Sequence, residues 1–289
     1  MRTVTARDTD MANETADIMH RVRTVVDRPF ATRFARAGYV TKGIIYLVVA
    51  GLAGKVALGA RGETTDQSGA LTALAGQTWG RGVLLVLAAG FLVYGVWNAV
   101  QVLANTQGDD QGITRVTERV GYCVLGATYI GLAIAALRLV FGGGHAPTTD
   151  DSARSLTTPL IGHWWGALLV GVAAVGILGI AVGMLFQTIT ARFRDTFDTD
   201  QYPHIPAWVF WFGRIGYAAL GVTSGTVGLL LLNAAWHRDA NQAKGVGGAL
   251  ATLLARPHGI TLLGAVALGL ALYGLFSFAE ARYRCLDRR

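Results

Sequence analysis

Charged residues, cysteine and proline are all scarce in this 289-residue chain. Only 15% of the residues are charged and 52% are hydrophobic, a balance that a soluble domain of this size does not show. The two cysteines, Cys123 and Cys285, are too few for a disulfide framework. Residues 1–35 lack an apolar run, so we expect no cleavable signal peptide and an insertion directed by the first membrane span.

Sequence motifs for catalysis are also missing. The chain has no nucleophile elbow, phosphate loop, zinc-protease pair or pair of intramembrane aspartates. Ser224 lies deep in an apolar segment without a histidine, which favours a bond to its own helix backbone. The six histidines lack i, i+3 and i, i+4 spacing and none falls in the middle of a span. We therefore expect no enzyme activity, no metal and no cofactor.

Long hydrophobic runs are the main feature that the sequence does have. A bilayer core of about 30 Å needs roughly 20 mostly apolar residues per helix. Six stretches meet that requirement: 37–58, 81–104, 120–141, 163–188, 211–234 and 258–280. The 38 glycines suit helices that pack closely in lipid. The sequence predicts an all-α membrane protein with six transmembrane helices and the lipid bilayer as its first partner.

The formal charge of +7 is distributed unevenly along the chain. If the termini and the loops between repeats share one side, that side holds sixteen basic residues and the other side eight, with Lys42 set apart inside a span. The positive-inside rule then places both termini in the cytoplasm. Because the basic residues do not form a surface patch with interleaved aromatics, we expect no nucleic-acid partner.

One eight-residue pattern occurs three times, at the start of each odd-numbered span. R-x-G-Y-x-x-x-G occupies 36–43, 119–126 and 214–221. Since each unit crosses the membrane twice, all three start from the same side and are parallel repeats, unlike the inverted repeats of many transporters. We predict a pseudo-threefold bundle of three two-helix repeats, with boundaries at 33–110, 115–195 and 208–285.

Residues 1–32 are predicted to form a cytoplasmic tail with an amphipathic helix. Its apolar positions recur at helical spacing and are Ile18, Met19, Val22, Val25 and Val26. We expect this helix to lie on the membrane surface; the alternative is a docking helix for a partner protein.

The loops within the three repeats are also alike. Segments 66–80, 151–166 and 244–259 each run from polar residues through a short apolar stretch to a glycine. They are too short to span a bilayer, so we predict short helices in the outer interface. Asp150 and Asp151 are interpreted as solvated loop residues.

Candidate binding residues are the polar positions that recur at the ends of the spans. Towards the predicted cytoplasmic side they are Arg36, Arg119, Arg214, Gln101, Gln187 and Glu280, and at the opposite ends Lys55, Arg138 and Asn233. The first set could form a gate or an anion-attracting vestibule. Interfacial anchoring, with one ion pair between repeats made by Glu280, is favoured. Lys55 and Arg138 are expected to extend outward to the headgroups.

Lys42 is the one charge well inside a span, and the sister repeats have Leu125 and Leu220 at its position. One interpretation is a site for a charged ligand or counter-ion that faces the bundle interior. The favoured interpretation is a lysine whose long stem snorkels back to the nearby headgroups.

These residues together resemble a known family. The repeated Arg-x-Gly-Tyr, the Lys42-Gly43 sequel, the Ser68-Gly-Ala-Leu stretch and Tyr94-Gly-Val-Trp97 are similar to a bacterial six-helix membrane family called domain of unknown function 1206. The resemblance covers about residues 33–284. It implies the six-helix fold and a bacterial inner membrane, and it carries over no catalytic residue. The middle repeat departs from the pattern because Ile180 replaces the tyrosine of the second helix.

Two functions are compatible with this sequence. We expect a non-enzymatic protein that moves or senses a small solute or lipid through the bundle, because polar residues recur at both ends of symmetric helices. The alternative is a structural or assembly subunit that contacts a membrane-protein partner or a second copy through glycine-rich helix faces.

Overall fold

A computed structural model describes residues 29–59, 66–104, 113–142, 144, 146–198, 201–202 and 204–284. The predicted amphipathic helix of the tail lies outside the described residues. Within them, nine α-helices form, and six are long and apolar enough to cross a membrane. Apart from one isolated antiparallel bridge, between Phe197 and Arg284, no described residue pairs as a strand. The predicted all-α, six-span fold is confirmed.

The helices follow one order three times. They are α1 (Pro29–Ala57), α2 (Gln67–Ala75), α3 (Gly80–Ala104), α4 (Ile113–Val140), α5 (Thr149–Ile161), α6 (Trp164–Thr190), α7 (Ala207–His237), α8 (Val246–Leu254) and α9 (Gly259–Tyr283). In each repeat a first span (α1, α4, α7) is followed by a short helix (α2, α5, α8) and a second span (α3, α6, α9). We call the end of the bundle with Gly38, Gly121 and Gly216 the motif end, and the end with the short helices the lid end.

The first spans begin about two turns before the repeated motif. The apolar runs predicted starts at 37, 120 and 211, whereas the helices start at Pro29, Ile113 and Ala207. Hydropathy marks only the part of a helix that hydrocarbon accepts. Backbone hydrogen bonds continue beyond it through polar and aromatic residues.

The last glycine of the motif brings neighbouring repeats into backbone contact. A Cβ added to Gly43 in repeat 1 would lie 2.8 Å from the carbonyl oxygen of Gly274 in repeat 3, closer than real Cβ atoms come. The other two boundaries have the same contact, Gly126 against Gly95 and Gly221 against Ala181. Each repeat therefore touches both of its neighbours, and the pseudo-threefold arrangement of parallel repeats is confirmed.

The first glycine of the motif seats a tyrosine of the same repeat. A Cβ on Gly38 would lie 2.6 Å from the Cβ of Tyr94, and one on Gly216 would lie 2.8 Å from the Cα of Tyr273. In repeat 2, where the tyrosine is replaced by Ile180, the described residues place nothing within 4 Å of such a Cβ on Gly121.

The missing tyrosine coincides with a gap between the two spans of repeat 2. Along their described residues, α4 and α6 do not pack on each other as α1 and α3 or α7 and α9 do. Leu125 is consequently 42% exposed, whereas Lys42 and Leu220 at the matching positions are 9% and 8% exposed. Ile180 is 56% exposed. We call this gap, lined by Leu125, Thr128 and Ile180, the repeat 2 seam.

The three short helices meet at their N-termini and form a lid. Asp66, 1% exposed, caps α2 through the Gly69 amide at 2.9 Å and also accepts from the amide of Thr149 at the start of α5. Asp150 accepts from the amides of Gly245 and Gly248 at the start of α8, at 2.7 and 3.0 Å. Carboxylates bonded to amides at helix N-termini are stabilising.

The interpretation of Asp150 and Asp151 as loop residues was wrong, although Asp151 is exposed to solvent as expected. Both lie in the first turn of α5, and Asp151 completes a capping box with Thr148. The backbone N–H of Thr148 lowers the pKa of the Asp151 carboxyl. The loop interpretation missed the capping pattern because the apolar stretch of this repeat starts several residues later.

Gly43→Ala is expected to destabilise the bundle by about 1–3 kcal/mol, because the new methyl group forces α1 away from α9. Unfolding in mixed detergent micelles, followed by circular dichroism, measures the loss. Gly51→Ala in the same helix is the control: nothing lies within 4 Å of its Cβ, so its effect should stay within about 1 kcal/mol. Equal effects of the two variants would contradict the close-contact role of Gly43.

Candidate functional site

A buried ion cluster lies inside the bundle near the motif end. The Nζ of Lys42 on α1 is 3.3 Å from Oε2 of Glu280 on α9, and Nη1 of Arg284 is 2.7 Å from Oε1 of the same carboxylate. Glu280 is 1% exposed. The cluster holds two cations and one anion, so it carries a net positive charge in surroundings where charge is costly.

This geometry replaces the snorkelling interpretation of Lys42. The side chain is held inside the bundle by Glu280 instead of extending to the headgroups, because the ring of repeats brings α9 against α1. Glu280 does form an ion pair between repeats, but its partners are Lys42 and Arg284 and not the arginines of the motif.

Tyrosine rings surround the cluster. The Nζ of Lys42 lies 4.6 Å from the ring centroid of Tyr273 and 5.5 Å from that of Tyr39. Tyr39 packs edge-on against Tyr94, and Tyr94 against Tyr129 of α4, at centroid distances of 5.4 and 4.7 Å. Such rings offer an electron-rich face to the cation and hydroxyl groups to a polar ligand. Tyr129 is one turn beyond Leu125, so the tyrosines connect Lys42 to the repeat 2 seam.

The loop between α6 and α7 covers the motif end of the cluster. Its 3₁₀ turn, Arg192–Thr196, places Phe193 at 5.2 Å from the ring of Phe276, and the amide of Asp198 donates to the carbonyl of Tyr283 at 2.9 Å. Phe197 pairs with the backbone of Arg284. This connecting loop, residues 191–198, therefore fixes the backbone that presents Arg284 to Glu280.

The remaining predicted residues of the motif end are not brought together with Glu280. Arg214 donates to the carbonyl of Ile189 at 3.3 Å and lies over Trp211. Arg36 and Arg119 are partly buried, and the Nε atom of each has no hydrogen-bond partner. Gln101 and Gln187 are also partly buried.

The predicted residues of the lid end are exposed. Lys55 and Arg138 lie near the ends of α1 and α4, and Asn233 donates to Gln242 beside the lid. Among the described residues, no group of three His, Cys, Asp or Glu side chains is placed to hold a metal ion. The site is therefore best described as the Lys42–Glu280–Arg284 cluster with its tyrosines.

Sequence reasoning missed two parts of this site. Arg284 stood in a basic terminal segment without a distinguishing signal, although its i, i+4 spacing from Glu280 could have suggested the pair. The tyrosines could have been found from the repeats. Tyr46, whose ring centroid lies 4.9 Å from that of Tyr273, occupies the position in α1 that Tyr129 has in α4. Tyr94 and Tyr273 are equivalent in α3 and α9.

A comparison with known proteins finds the same three repeats. Residues 37–104, 120–191 and 215–284 each match the model of a family described as Domain of Unknown Function (DUF1206). The chain belongs to this family. A relative described as Uncharacterized protein YxxB, from Bacillus subtilis (strain 168), is 31% identical over 260 residues, which cover 89% of this chain and 92% of the relative. No solved structure matches the chain.

Loss of the shared carboxylate should cost more than loss of either cation. Glu280→Gln leaves the buried Lys42 and the partly buried Arg284 without a counter-ion and is expected to cost about 3–5 kcal/mol of unfolding free energy. Lys42→Met leaves Glu280 paired with Arg284 and should cost less than about 2 kcal/mol. Unfolding in mixed micelles measures both.

Lys55→Met is the matched control for these variants. It removes an exposed lysine of the same helix, and its effect should stay within about 0.5 kcal/mol. If Lys42→Met were as costly as Glu280→Gln, Arg284 would not be acting as the second counter-ion.

Proposed function

We propose that this multi-pass membrane protein is not an enzyme and that it binds a small amphipathic anion, such as a lipid or fatty-acid-like solute, inside its helix bundle and moves or senses it there. The observation that carries the proposal is one face of α4 at the repeat 2 seam, which is exposed although the matching faces of α1 and α7 are buried. Tyr129 on α4 packs against Tyr94, and these rings lie between the seam and the cluster at Lys42. The ligand would come laterally, from the bilayer.

The charge of the cluster supports an anion. One carboxylate neutralises only one of the two cations, and each oxygen of Glu280 already has a partner. An anionic headgroup would compensate the remaining positive charge and accept hydrogen bonds from nearby tyrosine hydroxyls. A buried ionisable residue in a membrane span is a functional-site hypothesis in its own right.

The arrangement of the two ends supports a lateral route. At the lid end, Asp66 and Asp150 join the starts of the three short helices. At the motif end, the connecting loop packs Phe193 against Phe276 and Tyr217. At the repeat 2 seam, Leu125 and Ile180 are exposed, whereas the matching residues of the other two repeats are buried. The side chains of the seam are apolar apart from Thr128. This chemistry suits the body of an amphipath.

A photoactivatable oleate analogue is expected to label α4 and α6 near Leu125 and Ile180 when the protein is reconstituted in lipid nanodiscs. Lys42→Gln should lower the labelling about tenfold, because one charge-assisted contact to the carboxylate is lost. Ile180→Tyr should lower it as well, since the new ring can pack on Gly121 as Tyr94 packs on Gly38. Mass spectrometry of the labelled peptides measures both effects.

Lys55→Gln is the control for labelling, because it removes a lysine of the same helix at the lid end. Its labelling should equal that of the unmodified chain. Labelling that avoids the seam, or that is unchanged by Lys42→Gln, would contradict the proposal.

A second candidate function, an assembly subunit, is favoured by one observation. Only 17% of the apolar segment of α6 is buried, whereas 56% of the apolar segment of α9 is buried. At Gly176, Gly179 and Gly183 of α6, no described residue lies within 4 Å of an added Cβ. Small residues on an exposed face are what a neighbouring span or a second copy would need. Absence of oleate at the seam, combined with a native mass above that of the monomer, would favour this function.

We further propose that the protein lies in a bacterial inner membrane with its motif end and both termini in the cytoplasm. The sixteen-to-eight distribution of basic residues supports this orientation. A reporter that is active only in the cytoplasm should be active when it is fused after residue 110 and inactive when it is fused after residue 61. The reverse pattern would overturn the orientation.

A further inference from the structure

A second candidate ligand site lies on the outside of the bundle, away from the seam. A groove of about 510 Å³ runs between α7 and α9 at the motif end, and its walls include Trp208, Phe212, Leu275, Phe278, Arg282 and Tyr283. Its size falls within the range of small-molecule sites. Except for Arg282, its walls are apolar and aromatic.

The side chains that line the groove change from polar to apolar with depth along the membrane normal. Trp208 and Tyr283 stand at the start of α7 and the end of α9, where an aromatic belt meets lipid headgroups. Leu275 lies seven residues before Arg282, about 10 Å deeper at 1.5 Å per residue. The groove therefore has a polar rim at the surface and an apolar floor in the hydrocarbon.

Arg282 supplies a free cation at that rim. It is exposed, its guanidinium lies 5.7 Å from the ring centroid of Tyr283, and among the described residues it has neither a carboxylate nor a carbonyl partner. Arg284, two residues later, is by contrast turned inward onto Glu280. An unpaired guanidinium beside aromatic rings is suited to a phosphate group, which it can bind with two parallel hydrogen bonds.

The arginine is particular to repeat 3. When the repeats are aligned on Gln101, Gln187 and Glu280, the residues that match Arg282 are Leu103 and Ile189. A general requirement for a basic residue at the membrane surface would act on all three repeats alike. Its restriction to the repeat that also carries this aromatic groove points to a specific ligand.

We propose that the groove between α7 and α9 binds an anionic phospholipid, with its phosphate on Arg282 and one acyl chain along Phe212, Phe278 and Leu275. Charge complementarity and the change from polar to apolar walls with depth both fit one molecule of this class. This site is separate from the repeat 2 seam and does not depend on the function proposed above.

The test is a native mass spectrometry titration of the full chain with phosphatidylglycerol, in a detergent that preserves lipid adducts. Arg282→Gln should weaken the tightest lipid adduct about tenfold, the effect expected for one lost charge-assisted pair. Leu275→Trp, which fills the floor and keeps the charge, should weaken it too. Arg138→Gln, which removes an exposed arginine at the lid end, should leave it unchanged.

Two outcomes would overturn the proposal. If Arg282→Gln and Arg138→Gln weaken binding equally, the attraction is a general effect of surface charge. If glycerol phosphate competes as well as the lipid and Leu275→Trp has no effect, the groove binds a free anion and not a phospholipid. Thermal unfolding of each variant identifies any loss of binding that comes from misfolding.

Discussion

The close approach of helix backbones at the three repeat boundaries is the contact on which the rest of this molecule depends. In lipid, water supplies no force that drives helices together, so packing must come from surfaces that fit at short range. Glycine at the end of each R-x-G-Y-x-x-x-G motif allows that approach. The boundary between repeats 3 and 1 places α9 on α1, and only this contact makes Lys42 and Glu280 neighbours.

Departures from the threefold pattern are concentrated at the buried ion cluster and at the repeat 2 seam. Lys42 stands where the other two repeats have leucine, and Glu280 stands where they have glutamine. In repeat 2, isoleucine stands where the other repeats have a tyrosine that fills the space beside the motif glycine. Symmetry thus supplies the scaffold, while single substitutions produce a charged interior and one open side. Neither feature requires a change in the backbone plan of a repeat.

The fold could be predicted almost completely from the sequence, because long apolar runs and a threefold motif are local signals. The partners of Glu280 could not. Lys42 is 238 residues away from it, and their contact follows from the order of helices around the ring, which hydropathy does not reveal. Asp66 and Asp150 were missed for a related reason: each bonds the start of a different short helix, and in the sequence they stand in polar loops. The repeat 2 seam coincides with the replacement of a tyrosine ring by Ile180.

The separation of Lys42 and Glu280 along the chain also bears on how the protein is made. The ribosome completes α1 long before α9 exists, so this span must enter the bilayer with a charged side chain that has no counter-ion. The long apolar stem of a lysine lets its ammonium group reach towards the headgroups during that interval. Once α9 packs on α1, pairing with Glu280 holds that ammonium group inside the bundle, and the same contact closes the ring of repeats.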